Sequence, residues 1–194
     1  MRKKLHYFIN MRNLIRIMKL LVTGGLGFIG SNFISRVFEN HENWSVVNVD
    51  AELYGSNHQS LEKFENNSKY SFVKGNITDQ ELMEKLVSES DVVVNFAAES
   101  HVDRSISNAR PFIDSNILGV FTLLETIKKM KKKMIHISTD EVYGSFNSGS
   151  AKEETRLNPS SPYAASKASA ELLIQSYITT HKCNVIITRC TNNY

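Results

Sequence analysis

The chain has 194 residues, 41% of them hydrophobic and 22% charged, which suits one globular domain with a real hydrophobic core. No stretch approaches the roughly 18 consecutive apolar residues of a membrane helix, so a membrane-spanning protein is excluded and a soluble one expected. The net charge of +3 is not a nucleic-acid footprint, because Arg2, Lys3, Lys4, Arg12 and Arg16 lie in residues 1–17 without an acid and the remainder is slightly acidic.

Residues 1–17 are basic with scattered apolar side chains, and lack the apolar core and small-residue cleavage site of a secretory signal. They read as a loose tail or an over-extended start before Met18, with an amphipathic organellar presequence as the alternative. Residues 18–194 read as one domain. Lys19–Thr23 is a buried strand and Phe28–Asn40 a helix, in which Ile29, Phe33 and Val37, with Ile34 and Phe38, form a wide apolar face. Ser45–Asp50 and Tyr70–Lys74 are further strands, and Gln80–Ser88 is a short helix capped by Thr78 or Asp79. Asp91–Ala97 is a nearly all-apolar strand, as expected where both faces are covered.

Ile113–Lys129 is a long helix and Met134–Thr139 the next strand. The cations Lys128, Lys129, Lys131, Lys132 and Lys133 fit a helix C-terminus, where the carbonyl ends favour positive charge. Pro162–Thr179 is a helix with Ser161 as cap and proline at its first position. Asn184–Arg189 is the last strand. Strands alternating with helices predict an α/β fold, a Rossmann-like doubly wound parallel sheet with helices on both faces. The Ser-, Asn- and Gly-rich segment Ser145–Asn158 reads as a mobile loop near the site. Cys183 and Cys190 lie in or beside a buried strand with no zinc-site spacing. Reduced thiols, a cytoplasmic location and no metal site are expected.

Two ends of this sheet carry chemistry. Thr23-Gly24-Gly25-Leu26-Gly27-Phe28-Ile29-Gly30 follows the first strand and opens the first helix. Glycines at 24, 27 and 30 allow a tight turn, close approach of a pyrophosphate and helix–sheet packing, with the helix N-terminus facing the anion. Asp50 ends the second strand, where a carboxylate accepts ribose hydroxyls and repels a 2′-phosphate, so NAD rather than NADP is expected. At the other end, Thr139-Asp140-Glu141 follows the fifth strand, and Tyr163 and Lys167 lie four apart on one helix face. An ammonium beside a phenol lowers its pKa and makes Tyr163 a usable base. His101 and Asp103 read as loop hydrogen-bonders without a catalytic role.

Leu21–Phe33, Asp50–Tyr54, Asn95–Ile106, Ile137–Gly144, Ser161–Leu173 and Thr188–Tyr194 together resemble the extended short-chain dehydrogenase/reductases, the NAD-dependent epimerase/dehydratase family. Within it the similarity is to nucleotide-sugar 4,6-dehydratases of the dTDP-glucose type. The resemblance covers nearly everything from Met18 and stops at Tyr194, where the family continues into a sugar-nucleotide lobe. It implies a lyase that oxidises C4 of a nucleotide-activated glucose, eliminates water across C5–C6 and returns hydride to C6. Glu141 would take the C5 proton, Asp140 would protonate the departing C6 hydroxyl, and Thr139 would hold the C4 oxygen. The Asp-Glu pair separates this from epimerases and decarboxylases, which remain the alternative, with a non-catalytic dinucleotide-binding fragment as the third reading.

The resemblance also assigns Phe28 and Ile29 to the pyrophosphate, and Asn76 and Ile77 to the adenine. Phe96, Ala97, Ala98 and Ser100 would lie along the cofactor, with Ser100 reaching the sugar as well. Ser115 stands where the family usually has threonine. Asn192 would meet the substrate and Asn193 the nicotinamide side. A homodimer through Ile113–Lys129 and Pro162–Thr179 is implied for the complete protein. The chain alone is expected to turn over weakly or not at all and to be marginally stable, because it lacks the groups that grip the substrate's nucleotide.

Overall fold

The computed structural model describes residues 17–146 and 149–193. The expected tail therefore lies outside the described residues except at Ile17, as does part of the loop expected over Ser145–Asn158. Six strands, β1 (Lys19–Thr23), β2 (Ser45–Asp50), β3 (Tyr70–Lys74), β4 (Val92–Asn95), β5 (Lys133–Thr139) and β6 (Asn184–Cys190), form one sheet. Every pair is parallel and the order is β3-β2-β1-β4-β5-β6. The order reverses between β1 and β4, and open sheets of this kind bind ligands in the crevice at such a switch point. The fold is the expected Rossmann-like one.

Alternation along the strands builds two cores. Leu20 and Val22 of β1 pack with Ile34 and Val37 of α1 (Phe28–Asn40) and with Leu61 from the short helical segment His58–Phe64. Leu21 points the other way, into a core shared with α2 (Gln80–Ser88), α4 (Val120–Met130) and α5 (Pro162–His181). A short helix, α3 (Val102–Ser107), follows β4. Helices on both faces explain why β-branched residues fill these strands. Val185 and Ile187 of β6 pack into the second core, whereas Ile186 is 57% exposed on the opposite face.

Local chemistry sets the helix ends. Asp79 caps α2 by accepting from Leu82 N at 3.0 Å, and Ser161 caps α5 by accepting from Ala164 N at 3.1 Å. α4 and α5 end at Lys131 and Lys182, both in the left-handed region, slightly beyond the ends that periodicity indicates. The lysine run is occupied locally: Lys128 pairs with Glu125, Lys129 with Glu84, and Lys132 donates to the carbonyls of Ser88 and Ser90.

Two expectations need correction. The long helix expected over Ile113–Lys129 opens as a wide π-type stretch, Ile113–Gly119, that passes into α4 at Val120. Such stretches are often found at functional sites, and here Asn116 turns inward to bond neighbouring segments. Ile29, counted on the apolar stripe of α1, is 38% exposed, because the first turn of the helix borders a cleft instead of the core.

Candidate functional site

A cleft of about 560 Å³ runs along the carboxyl ends of β1, β2, β4, β5 and β6. The glycine turn forms its floor. Gly24 has φ +71°, and a Cβ there would lie 2.5 Å from Ala97 N, so the turn must pass this close to the segment after β4. At Gly30 an added Cβ would lie 2.4 Å from Gly24 O, so helix and turn pack without a side chain between them. Gly27 differs: its Cβ would meet only Gly24 O, at 3.3 Å, and would otherwise occupy the cleft. The missing side chain leaves a cradle at the start of α1. No side chain caps that helix, so its first N–H groups remain available to an anion. Phe28 and Ile29 flank the cradle with exposed apolar surface.

Asp50 is buried beside the turn and rigidly held. Its Oδ2 accepts from Leu26 N at 3.0 Å, and its Oδ1 accepts from Glu52 N at 2.8 Å and from Ser56 Oγ at 2.9 Å. These bonds join the glycine turn to the loop after β2. Asp50 lines the cleft, and its Oδ2, with Leu26 N as its one donor here, retains capacity to accept from a hydroxyl. Asn76 and Ile77 line the adjoining wall, and Gly119 lets Ile77 pack closely, since a Cβ there would lie 2.4 Å from its Cδ1.

Phe96, Ala97, Ala98 and Ser100 line the middle of the cleft, and Ser115 faces it from the π-type stretch. Asn116 secures this region. Its Oδ1 accepts from Glu99 N at 2.8 Å, and its Nδ2 donates to Glu99 O at 3.0 Å and to Ser166 Oγ at 2.9 Å. Ser166 in turn donates to Tyr163 O at 2.7 Å, and Tyr163 N donates to Ser105 Oγ at 3.1 Å. The start of α5 is thus tied to the segment after β4.

At the reactive end Thr139, Glu141, Tyr163, Lys167, Asn192 and Asn193 line the same cleft. Asp140 does not. It is half-buried, and its Oδ1 accepts from Thr139 Oγ1 at 3.3 Å. Asp140 and Glu141 sit in a single helical turn, Asp140–Tyr143, directly after β5. Burial, reinforced by the charge of Asp140, raises the Glu141 carboxyl above its ordinary pKa. A carboxyl shifted this way holds and releases a proton nearer neutrality.

The phenol does not behave as the Tyr–Lys spacing suggests. Burial and the nearby Glu141 carboxylate push Tyr163 up to about 12, and a hydrogen bond with Thr139 only partly offsets this. Lys167 is buried, donates to Ile137 O at 2.6 Å, and is pushed down to about 8 by desolvation. Burial dominates at both groups.

Sequence reasoning missed several groups. Leu53, Tyr54, Glu99 and Cys190 line the cleft, as does His101, which had been read as a loop hydrogen-bonder. Arg104 lies 4.2 Å from the Tyr54 ring centroid and pairs with Glu99 at 2.9 Å, joining the loops after β2 and β4. Thr23, Asn95 and His136, in register across three strands, form a buried row. Thr23 Oγ1 donates to Asn95 Oδ1 at 2.5 Å, and Asn95 Nδ2 lies 2.9 Å from His136 Nδ1. Burial and Lys167 hold His136 well below its ordinary pKa, hence neutral. A polar residue inside an otherwise β-branched strand was the available signal. Among the described residues no cluster of His, Cys, Asp or Glu could hold a metal, and no helix is long and apolar enough to cross a membrane.

A switch-point cleft, a glycine turn at a helix N-terminus and a Tyr–Lys helix facing an acidic turn define a Rossmann-type domain with a reactive end of its own. Residues 21–194 match the family model described as GDP-mannose 4,6 dehydratase, and the chain belongs to that family. It is 46% identical over 178 residues to the low-salt glycan biosynthesis protein Agl12 of Haloferax volcanii. It is 44% identical over 180 residues to dTDP-glucose 4,6-dehydratase of Mycobacterium tuberculosis. These matches cover 91% of this chain but 57% and 54% of those proteins. Among solved structures it is similar to DesIV, the dTDP-glucose 4,6-dehydratase of Streptomyces venezuelae with NAD and TYD bound. That match has a TM-score of 0.88 at 43% identity, covering 91% of this chain and 56% of that one. UDP-glucuronic acid 4-epimerase of Bacillus cereus in complex with NAD is also similar, with a TM-score of 0.83 at 33% identity, covering 91% and 57%. The chain spans a little over half the length of the relatives it matches.

Proposed function

We propose that this chain is the cofactor-binding and chemical half of an NAD-dependent 4,6-dehydratase, which converts a nucleotide-activated glucose of the dTDP-glucose type to the 4-keto-6-deoxy sugar. One observation carries the reading: a single cleft joins the glycine cradle and Asp50 to Thr139, Glu141, Tyr163 and Lys167, with Asp140 between Thr139 and Glu141 in the chain and accepting from Thr139 Oγ1. The solved dehydratase relatives carry NAD, and the cradle left open at Gly27 fits a pyrophosphate. Gly24, Gly27, Gly30, Phe28 and Ile29 would hold the pyrophosphate, Asp50 the adenosine ribose, and Asn76 and Ile77 the adenine. Phe96, Ala97, Ala98, Ser100, Ser115, Tyr163, Lys167 and Asn193 would line the rest. When bound, NAD would supply an acceptor for the C4 hydride, a positive ring charge, and the return of that hydride to C6 after water has left, with a proton restored at C5.

Tyr163 takes the C4 hydroxyl proton, with Thr139 holding that oxygen and Lys167 adding positive charge. Glu141 then removes the C5 proton, which the C4 ketone has acidified, and Asp140 protonates the departing C6 hydroxyl. Ser100 and Asn192 orient the sugar. Epimerases are structural neighbours as well, but Asp140 supplies an acid that C4 epimerisation does not need. Exposed Ile113, Leu118, Phe121 and Leu172 on the π-type stretch, α4 and α5 support a homodimer through these helices. The free thiols Cys183 and Cys190 fit a cytoplasmic location.

The test has two parts. Calorimetry on the chain should show NAD binding well ahead of NADP. A longer protein containing this sequence should make a 4-keto-6-deoxy product from dTDP-glucose. An epimer as the sole product, or no preference for NAD, would refute the reading.

A further inference from the structure

Behind the cleft, and touching none of it, one guanidinium joins the segments that carry the chemistry. Arg189 is in β6, immediately before the stretch that brings Cys190, Asn192 and Asn193 to the site. Its Nε donates to both carboxylate oxygens of Glu171 at 3.0 Å, and Nη2 donates to Glu171 Oε2 at 2.6 Å. Nη1 donates to Tyr143 Oη at 2.5 Å and to Glu153 O at 2.9 Å, and the guanidinium carbon lies 4.9 Å from the Tyr143 ring centroid. Glu171 is completely buried on α5, one turn beyond Lys167. Tyr143 closes the turn that holds Asp140 and Glu141.

We propose that Arg189 is a positioning residue for the elimination step, holding the turn of Asp140 and Glu141 at a set place relative to Tyr163 through Tyr143 on one side and Glu171 on the other. The inference rests on the dehydratase reading. Proton removal at C5 and protonation at C6 must act on a ring whose C4 oxygen Tyr163 and Thr139 already hold, and small displacements there are costly in rate. The turn and α5 are separated by residues 144–161, so chain connectivity by itself does not fix that relation. A planar guanidinium with forked donors can, because each bond constrains direction as well as distance. The turn is also fastened from the loop side, where Asn158 N donates to Val142 O at 2.9 Å. That bond reaches neither α5 nor β6; Val142 and Tyr143 also pack on Ala168 of α5, and among the described residues Arg189 adds directed hydrogen bonds that tie the turn, α5 and β6 together.

Tyr143→Phe removes one hydroxyl and leaves the ring beneath the guanidinium. In a longer protein containing this sequence we expect kcat to fall tenfold or more, with KM for the nucleotide sugar within twofold and NAD affinity unchanged. Reduced nicotinamide absorbance should build up during turnover, because C4 oxidation outruns elimination. In the chain itself, carbon-13 carboxyl NMR should show Glu141 titrating closer to an ordinary carboxyl in the variant, as the loosened turn takes on water. Glu171→Gln, which weakens the helix side, should shift Glu141 in the same direction. Wild-type turnover by Tyr143→Phe, or equal slowing of oxidation and elimination, would overturn the proposal. An unchanged Glu141 titration in both variants would do so too. If the wild type makes no 4-keto sugar, the dehydratase reading fails, and the titration still decides whether Arg189 positions the turn.

Discussion

Replacing Lys167 with methionine isolates the cost of burying a charge at the reactive end. Lys167 is 3% exposed, and desolvation moves its pKa from 10.5 to about 8, with Glu171 and Cys190 acting in the opposite direction. Compared with the unfolded chain, the folded state therefore favours the neutral amine. Stability from this group is fully present above pH 10.5 and is lost as pH falls through about 8, below which both states hold the proton. At about 1.4 kcal/mol per pKa unit, that shift corresponds to about 3 kcal/mol. Methionine is unbranched and fills irregular slots well, and it does not titrate. The loss of the hydrogen bond to Ile137 O adds a cost that does not vary with pH. Urea unfolding of both chains at intervals from pH 7 to 11, analysed with a common slope, gives the difference directly. The variant should gain about 3 kcal/mol on the wild type between pH 10.5 and pH 8. A difference that stays flat over this range, or moves towards the wild type as pH falls, would refute the desolvation argument.

Gly24→Ala forces a Cβ to 2.5 Å from Ala97 N at φ +71°; it should cost at least about 2 kcal/mol and abolish NAD binding, measured by thermal melting and calorimetry. Asp50→Ala strands Leu26 N and Glu52 N; NAD affinity should fall at least about tenfold and stability by about 1–3 kcal/mol, with both read by calorimetry. Glu141 has a raised folded pKa, so its contribution to stability is present below about pH 4.5 and lost as pH rises through the folded value. Glu141→Gln should therefore be the more stable chain at neutral pH and, on the proposed reading, should eliminate water poorly in a longer protein containing this sequence, as unfolding and product assays would show. Arg189→Ala leaves Glu171 buried without its partner, which should cost about 3–5 kcal/mol in urea unfolding.

Much of the architecture follows from local pattern. β-branched runs bounded by turn residues form the strands, 3.6-residue spacing forms α1 and α2, and Ser161 with Pro162 starts α5 where its capping chemistry dictates. The glycine turn was legible because each glycine answers a steric demand within a few residues of itself. The apolar position at Ile29 was not, because periodicity cannot distinguish a stripe facing the core from one facing a cleft. The π-type widening at Ile113–Gly119 depends on Asn116 reaching Glu99 and Ser166, partners far away in the chain.

The sequence by itself therefore determined the elements, the parallel class of the sheet and the residue types at its two chemical ends, since these depend on near neighbours and on periodicity. Only the tertiary structure decided how those groups are charged and held. Tyr163 is pushed up to about 12 and Lys167 down to about 8 because desolvation depends on everything packed around a group. Arg189 reaches both Tyr143 and Glu171 because parallel strands bring residues 46 and 18 positions away to one point.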